Sequence, residues 1–398
     1  MHLSDEIRGV KSKRLSKKKI VLGVTGSIAA VECVRLSREL VRHDAKVFPV
    51  MTRSATKIIH PDTLEFATGN KPVVELTGET EHVVFCGRVD EPADLLLISP
   101  CTANTISKIA HGVDDTSVTT FATTAIGSGI PILIVPAMHL SMYDHKIVQE
   151  NILKCKKNGI KFIKPSIQGS KAKMADIDEV VAYVIREIGS CDLRNKRVLI
   201  VGGSTAESID AVRIIANRSS GKTAIWLAKN AFYRGADVEL WYGWNQEPAP
   251  SYIKTTSFES VADIMKLLKT RDLKKFDIII VCAAIADYIP KKRAGKIPSG
   301  KKKLVLEMRP APKIIAKLKE IAPDSKIIGF KVEENRDKIE EKAFKLLKKN
   351  DLDFVVANTV SGFYSVENEI WIIDKKGNNI YKKGKKEHLA DHILDIVK

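Results

Sequence analysis

The stretch RVLIVGGSTAESIDAVRIIANRSSGK, residues 197–222, decides the fold of the second half of the chain. Its apolar run at 198–201 is bounded by glycine and is typical of a strand covered on both faces of a parallel sheet. The turn at 202–205 is built of small residues, whose backbone N–H groups can approach a phosphate. Ser219-Ser220 is then expected to cap a helix, which gives a second set of unpaired N–H donors beside Lys222. The stretch therefore predicts an α/β unit with an anion-binding edge.

A P-loop is the first alternative for this stretch. Gly221-Lys222-Thr223 fits the end of G-x-x-x-x-G-K-[ST], but Ala216 occupies the position of the first glycine. A P-loop also follows its strand directly, whereas this segment comes roughly a dozen or more residues later. We reject a P-loop, and on the residues alone an ordinary strand–turn–helix connection remains the alternative to an anion site.

The first half of the chain repeats this pattern. Four predicted strands, at 20–24, 47–51, 95–99 and 132–135, alternate with helices and end in small polar residues. This alternation predicts a parallel doubly wound sheet, whose ligands bind at the carboxyl ends of the strands. NAD is disfavoured, because no G-x-G-x-x-G follows the first strand and Thr52, not an acidic residue, follows the second. Hydroxyl and amide donors suit a mononucleotide such as FMN.

Charge and composition limit the class of partner. The chain of 398 residues carries 65 Lys and Arg against 48 Asp and Glu, a net charge of +17 that raises the possibility of nucleic-acid binding. However, aromatic residues are only 6%, and many lysines alternate with glutamates, as on solvated helix faces. We therefore expect phosphorylated small molecules as partners, and neither nucleic acid nor membrane. The basic N-terminus predicts a mobile tail or a short amphipathic lead-in, and six scattered cysteines fit the reducing cytoplasm.

Two sets of motifs resemble known families. Asp210-Ala211-Val212-Arg213 and ANRSSGK at 216–222 resemble the D-x-V-R-x-I-(S/A)-N-x-S-S-G-K signature of phosphopantothenate–cysteine ligase. From Lys18 onwards the chain resembles the bifunctional phosphopantothenoylcysteine decarboxylase/phosphopantothenate–cysteine ligase of coenzyme A biosynthesis. The segments that resemble FMN-dependent cysteine-decarboxylase flavoproteins are GVTGSIAA (23–30), VMTRSA (50–55), SPCTANTISKIAHG (99–112) and PAMHLSMY (136–143).

The resemblance implies two α/β domains. Residues 1–190 would form a flavodoxin-like FMN-binding decarboxylase domain, and residues 191–398 a Rossmann-like ligase domain. It also implies a homo-oligomer in which flavin domains form trimers, with the flavin site at a subunit interface, and ligase domains form dimers.

In the first domain the resemblance implies His82 as acid/base, Met138 and His139 at the substrate, and FMN held by Gly26, Ser27, Thr52, Ser99, Thr102 and Asn104. Two departures are visible. His139 replaces the family's asparagine, and the flap at 169–174 lacks the family's proton-donating cysteine. Lys171 or Lys173, or Cys101 or Cys155 reaching in from elsewhere in the chain, are the candidate replacements. A domain that binds FMN but decarboxylates poorly remains an alternative.

In the second domain the resemblance implies that CTP and Mg²⁺ convert the carboxylate of 4′-phosphopantothenate to an acyl-cytidylate, which the cysteine amine attacks. Asn217 would hold the acyl intermediate and Lys296 the triphosphate, from a mobile loop at 293–303. The implied substrate-binding residues are Ser219, Ser220, Gly221, Lys222, Ala283, Ala284, Asp287, Phe330, Lys345 and Lys349. The metal ligands are unknown from sequence, and no residue independently distinguishes CTP from ATP.

Three interpretations therefore compete. The leading one is a bifunctional enzyme. The second is a basic nucleotide- or nucleic-acid-binding protein without catalysis, and the third is an active ligase fused to an FMN-binding domain with lost or weak decarboxylase activity. A flavin spectrum separates the second from the other two, and release of both pyrophosphate and carbon dioxide separates the first from the third.

Overall fold

The computed structural model describes residues 2–300, 302–362 and 365–398, and it consists of two compact units, one up to Ser190 and one from Cys191. The elements of the first unit are α1 Leu3–Glu6, β1 Lys19–Val24, a 3₁₀ helix Ile28–Glu32, α2 Cys33–Arg42, β2 Lys46–Met51, α3 Arg53–Thr56, α4 Pro61–Thr68, α5 Glu81–Cys86, β3 Leu95–Cys101, α6 Ala103–His111, α7 Ser117–Ser128, β4 Ile132–Pro136, β5 Met138–His139, α8 Leu140–Tyr143, α9 Lys146–Lys157, β6 Lys161–Phe162, β7 Ser166–Gln168, β8 Lys171–Lys173 and α10 Ile177–Ile188.

The central sheet of the first unit is parallel, in the order β2-β1-β3-β4-β6. This order confirms the predicted flavodoxin-like fold. The strand order reverses between β1 and β3, because β2 lies on one side of β1 and the later strands lie on the other, and ligands bind at this point in such folds. All seven residues of β3 are buried, since helices cover both faces of the sheet. Helices α5, α6, α7 and α9 pack on one face and α2 and α10 lie on the other.

The basic N-terminal segment packs against the first unit. Leu15 is fully buried, and its backbone N–H donates to the carbonyl oxygen of His43 at 3.0 Å. Lys11 pairs with the buried carboxylate of Glu39 on α2. The mobile-tail alternative is therefore wrong for the described part of this segment, because an apolar anchor and an ion pair fix it to α2.

The second unit contains a larger sheet. Its elements are β9 Arg197–Gly202, β10 Ala206–Ser208, β11 Ile214–Ala216, α11 Lys222–Tyr233, β12 Asp237–Tyr242, β13 Lys254–Ser257, α12 Val261–Thr270, β14 Ile278–Val281, β15 Tyr288–Pro290, β16 Met308–Pro310, α13 Ile314–Ile321, β17 Lys326–Glu333, a 3₁₀ helix Arg336–Lys338, α14 Ile339–Lys349, β18 Phe354–Thr359, a 3₁₀ helix Val360–Gly362, β19 Glu367–Asp374, β20 Asn379–Lys385 and α15 Lys386–Asp395.

The sheet order of the second unit is β13-β12-β9-β14-β17-β18-β19-β20. The first six strands are parallel, and in order along the chain they read 3-2-1-4-5-6, which confirms the Rossmann-like prediction. Strands β19 and β20 extend the sheet as an antiparallel hairpin, whose turn contains Gly377 at a positive φ. The strand order reverses between β9 and β14, because β12 and β13 lie on one side of β9 and the later strands lie on the other. The carboxyl ends of β9 and β14 therefore mark the expected ligand edge.

Two local features of the second unit are not visible in the sequence pattern. Strand β13 comes directly before α12, which begins at Val261 because Ser260 and Asp263 form a capping box there. The connection after β9 also contains an unexpected hairpin, β10–β11. None of the helices in the described parts of the chain has the length and apolar character needed to span a bilayer.

Candidate active sites

The ligand edge of the first unit is built around Thr25, at the end of β1. Its hydroxyl donates to the carbonyl oxygen of Pro100 at 2.8 Å and accepts from the backbone N–H of Thr102 at 3.0 Å. Thr25 is almost fully buried. These bonds join the ends of β1 and β3 at the point where the chain reverses, so the edge is preorganised.

Three of the hydroxyl residues implied by the resemblance cap the helical segments at this edge. Ser27 accepts from Ala29 N, Thr52 from Ala55 N and Thr102 from Thr105 N, at 3.5, 3.2 and 3.3 Å. They follow the adjacent strands β1, β2 and β3, so the three helix starts face the same edge of the sheet. Each hydroxyl accepts from its own helix, and a capping hydroxyl can also donate its O–H, although that of Thr102 lies 3.2 Å from the hydroxyl oxygen of Thr105.

Gly26 and Ser99 show how closely this edge is packed. A Cβ on Gly26 would lie 2.6 Å from the Cβ of Ser54. Only glycine therefore allows the turn after β1 to pack against the turn after β2. Ser99 is fully buried and its hydroxyl points to the sulfur of Met174 at 3.3 Å. Asn104 is exposed on the first turn of α6. The resemblance residues thus surround one edge, but Ser99 faces the flap.

His82 lies on α5, and its Nδ1 is buried without a hydrogen-bond partner in the described residues. A buried ring nitrogen without a partner is costly, and it is a donor or acceptor available to a bound group. This nitrogen and the hydroxyl groups at the strand ends are polar groups of the kind that bind a polar planar cofactor such as FMN.

The flap at 169–174 pairs with the segment that carries His139. Strands β5, β8 and β7 form an antiparallel three-stranded sheet in which His139 lies opposite Lys171 and Met138 opposite Ala172. Opposite residues of an antiparallel pair project to the same face, so His139 and Lys171 are neighbours. Lys173, in contrast, donates to the side-chain oxygen of Gln168 at 2.6 Å.

The two buried cysteines considered as replacements for the flap cysteine are poor proton donors. Cys101 and Cys155 lie in the hydrophobic core between the sheet and the helices. Burial raises the pKa of Cys101 well above its ordinary value and raises that of Cys155 to about 11. Lys171, beside His139, is therefore the better-placed candidate.

The ligand edge of the second unit requires glycine for two different reasons. Gly202 ends β9 where α11 crosses closest to the sheet, since a Cβ there would lie 2.1 Å from the Cβ of Ala224. Gly203 has φ +77°, and a Cβ there would meet the backbone of Gly243. Its carbonyl oxygen accepts from Ala284 N at 2.9 Å, which ties the end of β9 to the end of β14.

The N-cap of α11 is Gly221, so the prediction that Ser219 or Ser220 caps this helix is wrong. Gly221 has φ +79°, and a Cβ there would lie 2.1 Å from the hydroxyl oxygen of Tyr242, so no larger residue fits. The N–H groups of Gly221 and Lys222 approach the hydroxyl oxygens of Ser219 and Ser220, each at 3.4 Å. Beyond these, no side chain of the described residues caps the helix, so its next N–H groups point outward with the positive end of the helix dipole.

A cavity opens at this helix start. It is lined by Gly203, Ser219, Ser220, Gly221, Lys222, Thr223, Ala224, Cys282, Ala283, Ala284, Phe330, Val332, Asn358, Gly362, Asn368, Ile370, Lys386, Leu389, Ala390 and Ile393. Seven of the residues named in the sequence analysis are therefore brought together: Ser219, Ser220, Gly221, Lys222, Ala283, Ala284 and Phe330. The positive helix end and Lys222 make this cavity suited to an anion.

Asn217 lies beside the cavity rather than in its lining. Its side-chain N–H donates to the carbonyl oxygen of Ala284 at 3.1 Å, and Thr205 N approaches the same oxygen at 3.3 Å. The bond orients the Asn217 amide, so its oxygen is free to accept a hydrogen bond from a bound substrate.

The loop that carries Lys296 is anchored by Asp210. This carboxylate accepts from the backbone N–H of Ile297 at 3.0 Å, and Arg213 donates to it at 2.6 Å and to the carbonyl oxygen of Ile297 at 3.2 Å. The hydrogen bonds from Ile297 N, Val212 N and Arg213 hold the pKa of Asp210 far below its usual range. Lys296 itself is exposed and does not line the cavity.

Three further predicted residues lie away from the cavity lining. Asp287 is exposed and pairs with Lys313 at 2.5 Å. Lys345 pairs with Glu341 one turn earlier on α14, and Lys349 is exposed at the end of the same helix. Within the described residues, no group of three or more His, Cys, Asp or Glu side chains is placed to hold a metal ion.

Two buried polar residues in the cavity lining were missed in the sequence. Asn358 is the penultimate residue of β18, and Lys386 begins α15 and is 5% exposed. Neither belongs to a recognised motif. Only the order of strands in the sheet brings the C-terminal helix against α11, so local pattern offered no signal for Lys386.

Comparison with known proteins covers nearly the whole chain. A family described as Flavoprotein matches residues 9–189, and one described as DNA/pantothenate metabolism flavoprotein C-terminal domain matches residues 193–398. The coenzyme A biosynthesis bifunctional protein CoaBC of Thermococcus kodakarensis is 45% identical over 402 residues, covering 100% of this chain and 99% of its own. The corresponding protein of Methanocaldococcus jannaschii is 39% identical, covering 100% and 98%.

Among solved structures, the C-terminal domain of a coenzyme A biosynthesis bifunctional protein CoaBC is 30% identical. It covers 52% of this chain and 96% of its own, with a TM-score of 0.45.

Proposed function

Because the chain belongs to the CoaBC family of bifunctional coenzyme A biosynthesis proteins, we propose that each of its two activities is carried by the ligand edge of one unit. The family's activities are phosphopantothenate–cysteine ligation and FMN-dependent phosphopantothenoylcysteine decarboxylation, and FMN is the cofactor of the flavoprotein part. We assign decarboxylation to residues 1–190 and ligation to residues 191–398.

FMN would be held at the ends of β1, β2 and β3. The hydroxyls of Ser27, Thr52 and Thr102 and the helix starts that they cap supply donors to the flavin phosphate and ring. Asn104, exposed on α6, can reach the same ligand. Bound FMN supplies the redox capacity that makes the carboxylate of the substrate a leaving group.

His82 and the flap would handle the substrate of this reaction. The unpartnered Nδ1 of His82 supports its role as the acid/base that exchanges a proton with the substrate thiol. His139 and Lys171, opposite each other, are placed to bind the substrate carboxylate and to return a proton at the end of the reaction.

The ligase site would place a nucleoside triphosphate at the start of α11. The cavity, the uncapped N–H groups of the helix and Lys222 together supply donors and positive charge for the phosphates. We propose CTP as the nucleotide, with its base near Phe330. Mg²⁺ would arrive bound to the phosphates rather than in a preformed protein cage, as is usual for this ion.

The observation that carries the ligase assignment is the hydrogen bond from Asn217 to Ala284 O at 3.1 Å beside the cavity. The activated carboxyl group would lie between Asn217 and the cavity, where the Asn217 amide keeps it oriented for attack by the cysteine amine. Lys296 would close over the phosphates when the loop moves, since the loop is fixed at Asp210 and exposed at its tip.

The homo-oligomer and the cytoplasmic location are part of the same proposal. Trimeric flavin units and dimeric ligase units would bring residues of neighbouring copies to both edges. The six free cysteines support a location in the reducing cytoplasm.

The nucleotide assignment is tested by measuring pyrophosphate release with 4′-phosphopantothenate and cysteine in the presence of CTP or ATP, with and without Mg²⁺. The proposal expects release with CTP that EDTA abolishes. Equal or faster release with ATP contradicts the assignment of CTP, and release in EDTA contradicts that of Mg²⁺.

A further inference from the structure

Lys386 is a buried cation that neither the motifs nor the mechanism above uses. It is 5% exposed, at the first position of α15, and its ammonium donates to the carbonyl oxygen of Gly362 at 2.7 Å. An ammonium group has three N–H donors, and within the described residues the Gly362 carbonyl oxygen is its one hydrogen-bond acceptor, so most of its donors remain unused there. Burial of a charge without a counter-charge is costly, and the site therefore needs an explanation.

The surroundings of Lys386 add to this cost. Burial first, and then the like charge of Lys222, lower the pKa of Lys386 below its ordinary value, while Glu247 opposes the shift. Glu247 already pairs with Lys222, at 3.5 Å. The first turn of a helix is also the positive end of its dipole, where a lysine is unfavourable. Lys386, Lys222 and Glu247 thus form a group with a net positive charge, next to the N-termini of α11 and α15.

This positive group opens onto the cavity. Lys386, its partner Gly362 and Lys222 all line it, together with the uncapped start of α11. A polyanion in the cavity would supply the negative charge that the described residues do not.

We propose that Lys386 binds a phosphate of the nucleoside triphosphate in this cavity, together with Lys222 at the start of α11. The inference rests on the ligase site proposed above and deepens it. Lys386 and Lys222 would share the negative charge of the phosphates, which grows on the pyrophosphate as it leaves.

A purely structural role is the competing explanation. In that case Lys386 only ties α15 to the 3₁₀ helix Val360–Gly362 through the carbonyl oxygen of Gly362. The two roles differ in what they affect: a phosphate contact changes the affinity for a phosphorylated ligand, whereas a structural tie changes the affinity for any ligand of the cavity.

The test compares CTP with cytidine in the full-length chain. Equilibrium binding of Mg·CTP is measured directly, and cytidine is measured as its competitor, for the wild type and for Lys386→Met and Lys386→Gln. The glutamine variant retains a donor for Gly362 O if the methionine variant does not fold. Lys385→Met, at the exposed neighbouring position, is the matched control for charge.

We expect both Lys386 variants to bind CTP at least about tenfold more weakly, with cytidine affinity unchanged. Lys385→Met should bind both ligands as the wild type does. Equal losses for CTP and cytidine, or no loss for either, overturn the inference and leave the ligase proposal intact. A wild-type chain that binds ATP but not CTP corrects the nucleotide, and the same comparison is then made with ATP and adenosine. A wild-type chain that binds neither triphosphate overturns both proposals.

Discussion

The side-chain N–H of Asn217 donates to the carbonyl oxygen of Ala284 at 3.1 Å, across the point where the sheet of the second unit reverses its strand order. Asn217 follows β11, and Ala284 follows β14. The bond therefore joins the signature after β9, the first parallel strand of the unit, to the end of β14, the fourth parallel strand, beside the cavity at the start of α11.

Asn217→Asp removes this donor and places a carboxylate against a carbonyl oxygen. We expect the formation of 4′-phosphopantothenoylcysteine to fall about 100-fold or more, as when a preorganised donor to a reacting group is lost. Pyrophosphate release in a single turnover should be affected less, so acyl-cytidylate should accumulate and be detected by mass spectrometry after acid quench. Asn379→Asp, on the exposed part of β20, is the control. Unchanged product formation in Asn217→Asp would remove this residue from the mechanism.

His82→Asn removes the ring whose buried Nδ1 lacks a partner in the described residues. We expect the variant to retain FMN, measured by its absorbance spectrum, while carbon dioxide release falls at least about 100-fold, the usual contribution of an acid/base residue. His111→Asn, at the exposed end of α6, should release carbon dioxide at the wild-type rate. Full activity in His82→Asn contradicts the assigned role, and loss of FMN would mean that His82 acts in binding.

Asp210→Asn tests whether the anchored loop serves the ligase. The change weakens the bonds to Ile297 N and Arg213, so the segment around Lys296 should exchange its amide hydrogens faster. We expect kcat/KM for CTP to fall about tenfold or more and decarboxylation of supplied phosphopantothenoylcysteine to be unchanged. Asp324→Asn, at an exposed position, is the control. Faster exchange with unaltered ligation would show that loop order and catalysis are independent.

His43 gives the first unit a pH-dependent stability. Burial lowers the pKa of His43 from 6.5 to about 4, so the folded state takes up its proton only at lower pH than the unfolded chain does. The unfolded state therefore binds more protons between these values, and stability falls as the pH drops from 6.5 towards 4. The difference amounts to on the order of 3 kcal/mol.

Hydrogen exchange of β1 peptides, corrected for intrinsic exchange rates, measures this stability in the full chain. In His43→Gln the loss of protection between pH 6.5 and 4.5 should be much smaller than in the wild type. His111→Gln should behave as the wild type. An equal loss in wild type and His43→Gln would assign the pH dependence to other groups.

Both parallel sheets could be predicted from the sequence. Buried parallel strands are continuous apolar runs, and the small polar residues that follow them mark the turns where the strands end. The polar edges could be located for the same reason. The prediction failed where the deciding contact is distant in sequence. Gly221 is the N-cap because the Tyr242 hydroxyl leaves no room for a side chain, and this contact cannot be read from the flanking serines.

Lys386 and the lysines of α14 show that local pattern does not reveal which lysines line the cavity. Lys345 was chosen by motif register, yet it faces solvent and pairs with Glu341. Lys386 was overlooked, yet it is buried at the cavity, because β19 and β20 extend the sheet and return α15 to α11. Outside the recognised motifs, composition does not distinguish a buried lysine from the many lysines on the surface, and only the tertiary structure shows which ones are buried.

The central claim is that one chain joins cysteine to 4′-phosphopantothenate at one sheet edge and decarboxylates the product at the other. The direct measurement supplies the purified FMN-bound chain with 4′-phosphopantothenate, CTP, Mg²⁺ and cysteine labelled with ¹³C at its carboxyl carbon. Our account predicts that labelled carbon dioxide and pyrophosphate are released in equal amounts, with 4′-phosphopantetheine as the final product. Release of pyrophosphate with phosphopantothenoylcysteine accumulating and no labelled carbon dioxide would contradict it.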